Sequence, residues 1–117
     1  MLFLEYPSCT TCKKAKAWLQ SKGLEFTARH IKEENPTAEE LSGWQEKSGL
    51  ELKKFFNTSG LVYKDLGLKD KLPSLSREEQ LDLLASNGML VKRPIVVTED
   101  AVLVGFKVAQ WEAILND

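Results

Sequence analysis

The chain has 117 residues, 43% of them hydrophobic, which gives one domain with enough apolar material for a core. Sixteen Lys and Arg against 17 Asp and Glu leave a net charge of −1, so the basic footprint of a direct nucleic-acid binder is missing. No apolar run approaches the ~20 residues of a membrane span, and the N-terminus carries neither a basic n-region nor a small-residue cleavage site. No nucleic-acid or membrane partner is therefore expected, and a cytoplasmic setting is.

Residues 1–6 read as a short buried strand. Both cysteines of the chain follow within four residues, as Cys9-Thr10-Thr11-Cys12. Residues 10–22 have the spacing of a helix with Cys12, Ala15, Trp18 and Leu19 on one face, and Gly23 ends it. Leu24 to Ile31 alternates in part and reads as a second strand, so the opening forms a βαβ unit with parallel strands. Asn35-Pro36 then breaks the chain, and Thr37 with Glu40 announces by a capping box a helix that runs to about Ser48, where Gly49 stops it. Residues 51–87 keep a helical character. Leu52, Phe55 and Phe56 mark one short segment, Leu61, Tyr63 and Leu66 another, and Leu81, Leu84 and Ala85 a third behind the capping box Ser76/Glu79. Ile95 to Val97 and Val102 to Val104 read as an antiparallel hairpin, and a last helix, about 107–116, is expected to turn Val108, Trp111, Ile114 and Leu115 inward.

The two cysteines carry the chemistry. Three apart at a helix start, they lie on nearly one face, within the reach of a disulfide. A thiol at the cap points at unpaired backbone N–H groups and the positive end of the helix dipole, which favour the thiolate, so Cys9 is the nucleophile candidate. Lys13, Lys14 and Lys16 are expected to depress its pKa further. Cys12, one turn in and more buried, is the resolving thiol. In a reducing compartment a disulfide between them would be transient. A zinc half-site is the competing reading, but zinc usually needs four ligands, and beyond this pair the chain has one histidine, His30, at a strand end with no partner. Trp18, Trp44 and Trp111 have the spacing of helix core anchors, and Phe55-Phe56 that of packing in the middle of the chain.

The order βαβ, helices, ββα is an α/β arrangement of thioredoxin-like type, with its core in about 1–33 and 89–117 and a helical insert over about 34–88, all in a single domain of 1–117. Arg93-Pro94 sits where thioredoxin-like proteins place a cis proline facing the cysteines; the alternative is an ordinary strand-opening proline.

Four stretches carry a closer resemblance: Cys9-Thr10-Thr11-Cys12-Lys13-Lys14-Ala15 with Trp18-Leu19, Asn57-Thr58-Ser59-Gly60, Lys92-Arg93-Pro94-Ile95, and Val104-Gly105-Phe106. Over essentially its whole length the chain resembles the ArsC/Spx family of arsenate reductase-related proteins, and within it the short, YusI-like members. The resemblance implies that Cys9 falls on the catalytic cysteine, which in the arsenate reductases attacks the arsenic of bound arsenate, and that Arg93 falls on an arginine holding the oxyanion. Two further arginines of that pocket have no counterpart. Asn57 or a near neighbour stands where one is expected, Gly105-Phe106 occupies the region of the other, and no arginine lies between Arg29 and Arg77. Each lost charge-assisted hydrogen bond is worth roughly 1.5–3 kcal/mol. Helix N–H groups and Lys92 offset some of this, and weak arsenate turnover is expected.

Cys12 is an adjacent thiol that the glutaredoxin-dependent arsenate reductases do not keep in this loop, and it shifts the expected chemistry toward a dithiol/disulfide cycle. The expected site is then Cys9, Cys12 and Arg93 as reacting groups, with Thr10, Thr11, Lys13, Asn57 and Pro94 lining the pocket. No bound cofactor or metal is expected. A thiol reductant serves as co-substrate: glutathione with glutaredoxin, thioredoxin, or another low-molecular-weight thiol. The partner is a thiol/disulfide protein or such a small thiol, and the chain is expected to be a monomer. The alternative within the same family is an Spx-like redox switch that binds the C-terminal domain of the RNA polymerase α subunit, for which Gly49 lies near the glycine that Spx-type proteins present to the polymerase.

Overall fold

The computed structural model describes residues 1–115. Its centre is a four-stranded sheet in the order β2-β1-β3-β4, built from β1 (Leu2–Glu5), β2 (Thr27–His30), β3 (Ile95–Val97) and β4 (Val102–Val104). β1 runs parallel to β2 and antiparallel to β3, and β3 and β4 form the antiparallel hairpin. The register puts Phe3 opposite Val96 and Val96 opposite Leu103, so one row of side chains crosses the sheet on one face. With Ala15, Leu19 and Trp111 these residues form the core beneath α1 (Thr10–Ser21) and α6 (Val108–Leu115).

On the opposite face Leu4 and Ile95 join the larger core, which the insert covers. The insert comprises α2 (Ala38–Ser48), α3 (Leu61–Asp65), α4 (Leu68–Lys71) and α5 (Arg77–Ser86), with short 3-10 turns at Leu52–Phe55, Leu72–Ser74 and Gly88–Leu90. Both expected capping boxes are present, Thr37 with Glu40 and Ser76 with Glu79, and Gly49 ends α2 in the left-handed conformation at φ 70. Phe55 and Phe56 are buried in this core as expected.

Two expectations are corrected, the start of β2 and the inward face of α6. β2 begins at Thr27, not Leu24, because α1 closes with the amide of Leu24 bonded to Leu19 O and that of Gly23 to Gln20 O. That Schellman arrangement, with Gly23 at φ 68, uses the backbone a longer strand would need, while Leu24 and Phe26 pack on the α1 core. In α3 only Tyr63 is buried, and Leu61 stands 77% exposed. Residues two apart on a helix point about 200° apart, so both cannot face inward. In α6 Trp111 is buried and Leu115 packs beside it, whereas Val108 and Ile114 lie exposed on the flanks of that narrow stripe. No helix among the described residues is long and apolar enough to cross a membrane.

Candidate active site

The end of β1 and the start of α1 build the centre of the site. After Glu5 the chain turns through Tyr6-Pro7-Ser8, closed by the Cys9 amide donating to Tyr6 O at 2.8 Å, and Cys9 becomes the N-cap of α1. Its backbone is extended (φ −77, ψ 124), and its side chain makes no capping hydrogen bond. The two thiols are free, Cys9 half-buried and Cys12 buried. Their environments pull them apart. Burial raises the Cys9 pKa, but the Cys12 amide and thiol, the Thr11 amide and the Arg93 guanidinium all favour its thiolate, and the net effect is a lowering. Cys12 is pushed up to about 12, first by burial and then by the neighbouring Cys9 sulfur, against the pull of the Tyr6 amide and of Arg93.

The Arg93 guanidinium acts on both thiols. The Arg93-Pro94 bond is cis, and the preceding loop is sewn to the insert. The Asn57 amide donates to Leu90 O and the Lys92 amide to Phe55 O, each at 2.7 Å, around a bridge between Phe56 and Val91. Pro94 is buried, and its carbonyl accepts from the Gly105 amide at 2.8 Å. Asn57 lines one cleft with Arg93, and Thr11 and Lys92 line another with it. Thr10 and Lys13 are exposed on the first turn of α1 and line neither.

The lysines expected to lower the Cys9 pKa are placed elsewhere. Lys16 pairs with the buried Glu5 carboxylate at 3.2 Å, and Lys13 and Lys14 face solvent. The lowering instead comes from helix amides and Arg93. The chain has three arginines, and the other two are engaged by other side chains. Arg29 forks onto Glu40 at 2.7 and 2.9 Å, and Arg77 bonds Gln45 and Ser42. His30 is half-buried, and its Nδ1 accepts from the Lys32 and Glu33 amides. Gly49 is exposed at the end of α2. Among the described residues no group of three or more His, Cys, Asp or Glu side chains is placed to hold a metal ion.

Sequence reasoning missed Tyr6, Lys53, Lys54, Lys107 and Leu61 as neighbours of this centre. The pair Lys53-Lys54 was visible as charge, but its proximity to Arg93 is a tertiary fact with no local signature.

A Cys-x-x-Cys at the cap of the first helix, on a β2-β1-β3-β4 sheet with a cis proline before β3, defines a protein of thioredoxin-like fold. The chain belongs to the ArsC family, whose model matches residues 4–114. It is 54% identical over 112 residues to the Bacillus subtilis protein YusI, covering 96% of this chain and 95% of that one. It is 34% identical over 100 residues to the global transcriptional regulator Spx of Enterococcus faecalis, covering 86% of this chain and 74% of that one. A solved structure of an ArsC family related protein from Bacteroides fragilis superposes with a TM-score of 0.94 at 61% identity, over 96% of this chain and 94% of that one.

Proposed function

We propose that the chain is a thiol-disulfide redox protein acting through the Cys9/Cys12 dithiol. The observation that carries this is the split between the two thiols: a half-buried Cys9 favoured as thiolate by helix amides and Arg93, beside a buried Cys12 held protonated. One is built to attack and the other to wait.

The cycle follows from that division. Cys9 thiolate attacks one sulfur of a substrate disulfide and bonds to it, the S–S bond breaks, and the other sulfur leaves as a thiolate that takes the Cys12 proton. Cys12 then attacks the Cys9 sulfur and releases the substrate sulfur bonded to it, which protonates from solvent. Two electrons pass to the substrate and Cys9–Cys12 becomes the disulfide. A thiol reductant, glutathione with glutaredoxin, thioredoxin or another low-molecular-weight thiol, returns it to the dithiol. Arsenate is a poorer fit. With Arg29 and Arg77 engaged elsewhere, Arg93 is the one guanidinium for a dianion, and the same centre supports at most slow arsenate reduction.

The test is trapping. Cys12→Ser is expected to accumulate a mixed disulfide on Cys9 when offered a small disulfide, and Cys9→Ser to abolish exchange; equal, free-thiol-like labelling of both cysteines would sink the reading. The kinship with Spx favours a second use of the same dithiol, as a switch on a surface for the C-terminal domain of the RNA polymerase α subunit. Retention of that domain by the immobilised protein supports it, and no retention in either redox state ends it.

A further inference from the structure

Arg93, which acts on the Cys9 thiol, lines two clefts, and Thr11 of the first turn of α1 lines one of them, while Cys9 itself lines neither. One, of about 650 Å³, includes Lys53, Lys54, Lys92 and Lys107 on its lining, and Glu51 is the one carboxylate there. The other, of about 480 Å³, is lined by Asn57, Val62, Met89 and the 77% exposed Leu61. In a chain of net charge −1, a wall with five cations counting Arg93 and one anion is a strong local imbalance. It faces a low wall: Gly105, at φ 78, has no side chain, and a Cβ there would stand 3.6 Å from Lys92 Cε. A small disulfide needs one cleft. Two clefts meeting at one arginine, one basic and one apolar, suit a chain that passes across it.

We propose that the two clefts form a docking track for an extended acidic segment of a partner protein that carries the disulfide reduced at Cys9. Its carboxylates lie along Lys53, Lys54, Lys92 and Lys107, and an apolar residue on the other side of its cysteine lies against Leu61 and Met89. This rests on the redox reading of Cys9 and Cys12 and names its substrate class. Charge complementarity of this kind acts mainly on encounter, raising the association rate and making it salt-dependent.

The experiment compares four 2-thiopyridyl probes on the reduced protein, following thiopyridone release. They are a peptide with leucine on one side of its cysteine and glutamates and aspartates on the other, the same peptide with lysines in place of the acids, the small anion 3-(2-pyridyldithio)propionate, and neutral 2,2′-dithiodipyridine. At low ionic strength the acidic peptide is expected to react about ten- to a hundredfold faster than the basic one, an advantage that shrinks as salt is added. The ratio should fall toward one in a Lys53→Gln/Lys54→Gln/Lys107→Gln variant. Equal rates for the two peptides in the unsubstituted protein overturn the proposal whether or not that variant folds. So does an advantage that the small anion shows in full, since the cleft would then be an anion site with no role for a chain. Failure of 2,2′-dithiodipyridine to react at Cys9 would instead overturn the redox reading, and this proposal with it.

Discussion

The Arg93 guanidinium carbon lies 5.2 Å from the centre of the Tyr6 ring, and His30 meets the same ring edge-on at 5.7 Å. Tyr6 is thus a shelf for the one arginine that favours the Cys9 thiolate, and its own amide acts on Cys12. Arg93 also donates a long hydrogen bond to Met89 O, at 3.5 Å. A cation over an aromatic face is worth about 0.5–2 kcal/mol depending on desolvation. Tyr6→Leu is therefore expected to loosen Arg93 and move the Cys9 pKa toward the ordinary thiol value, while Tyr6→Phe keeps it low. The check is the pH profile of Cys9 alkylation by iodoacetamide. A Tyr6→Leu profile that superimposes on the unsubstituted one would show that Arg93 is held without the ring.

Titration of the two thiols should also be legible in stability. Cys12 has a folded pKa raised to about 12, above the ~8.5 of a free thiol, so its contribution is fully present below the unfolded value. It is lost as the pH rises from there toward 12. Cys9 has the opposite sign: its folded pKa is lowered, so its contribution is present above the unfolded thiol pKa and is lost as the pH falls through the folded value. Between about pH 8.5 and 10.5 the urea midpoint of the reduced protein should fall more steeply than that of Cys12→Ser, in which that titration is gone. Parallel slopes would mean that Cys12 is not held protonated by the fold.

Much of this arrangement is readable from residue order because its signals are local. The cap at Cys9, the boxes at Thr37 and Ser76 and the hairpin of Ile95 to Val104 each announce themselves within a few residues, and the cis Arg93-Pro94 bond fell where the resemblance set it. What escaped depends on partners far apart in sequence. Lys16 was counted as a neighbour of Cys9, yet a buried Glu5 on the adjacent strand claims it. Leu61, Tyr63 and Leu66 mark one helical segment in the sequence, yet which of them faces the core is set by tertiary packing: the five-residue helix turns one side inward, and Tyr63 takes it.

Arg29 offers a test of how the insert is fastened to the sheet. From the half-buried end of β2 it gives two hydrogen bonds to Glu40 and others to Glu34 O and Asn35 O, and Glu40 at the same time accepts from the Thr37 amide. The Arg29 hydrogen bond, helped by Thr37 and opposed by burial, holds the Glu40 carboxyl at about 2. A depressed carboxyl pKa contributes stability that is present above the unfolded value of ~4.3 and is lost as the pH falls through the folded one. Glu40 is about a third exposed, so solvent screening reduces the pair to ~1–2 kcal/mol. Arg29→Met should lose about that much by urea denaturation near pH 7, with the difference from the unsubstituted protein closing as the pH falls toward 2. A difference that stays constant with pH would assign the loss to packing of the arginine stem.

Gly88 sits where β2, α5 and the loop to Arg93 converge. A Cβ there would stand 2.1 Å from Ile31 O and 2.8 Å from Asn35 Oδ1. The first is backbone, fixed at the end of β2. The second belongs to a side chain whose amide bonds Leu84 O, Ala85 O and Pro36 O at 3.3, 2.9 and 2.9 Å, so neither gives way easily. Gly88→Ala should therefore force the turn apart and cost about 1–3 kcal/mol, the range of overpacking in a filled core. Because Val91 N bonds Gly88 O and the chain reaches Arg93 two residues later, the same change should slow Cys9 alkylation. Gly43 is the internal comparison: it lies within α2 with nothing within 4 Å of its would-be Cβ, so Gly43→Ala should stabilise by up to ~1 kcal/mol through helix propensity alone and leave Cys9 unchanged. Thermal melts of the two variants with iodoacetamide rates on each give the answer, and a Gly88→Ala protein as stable and as reactive as Gly43→Ala would show that this junction has slack.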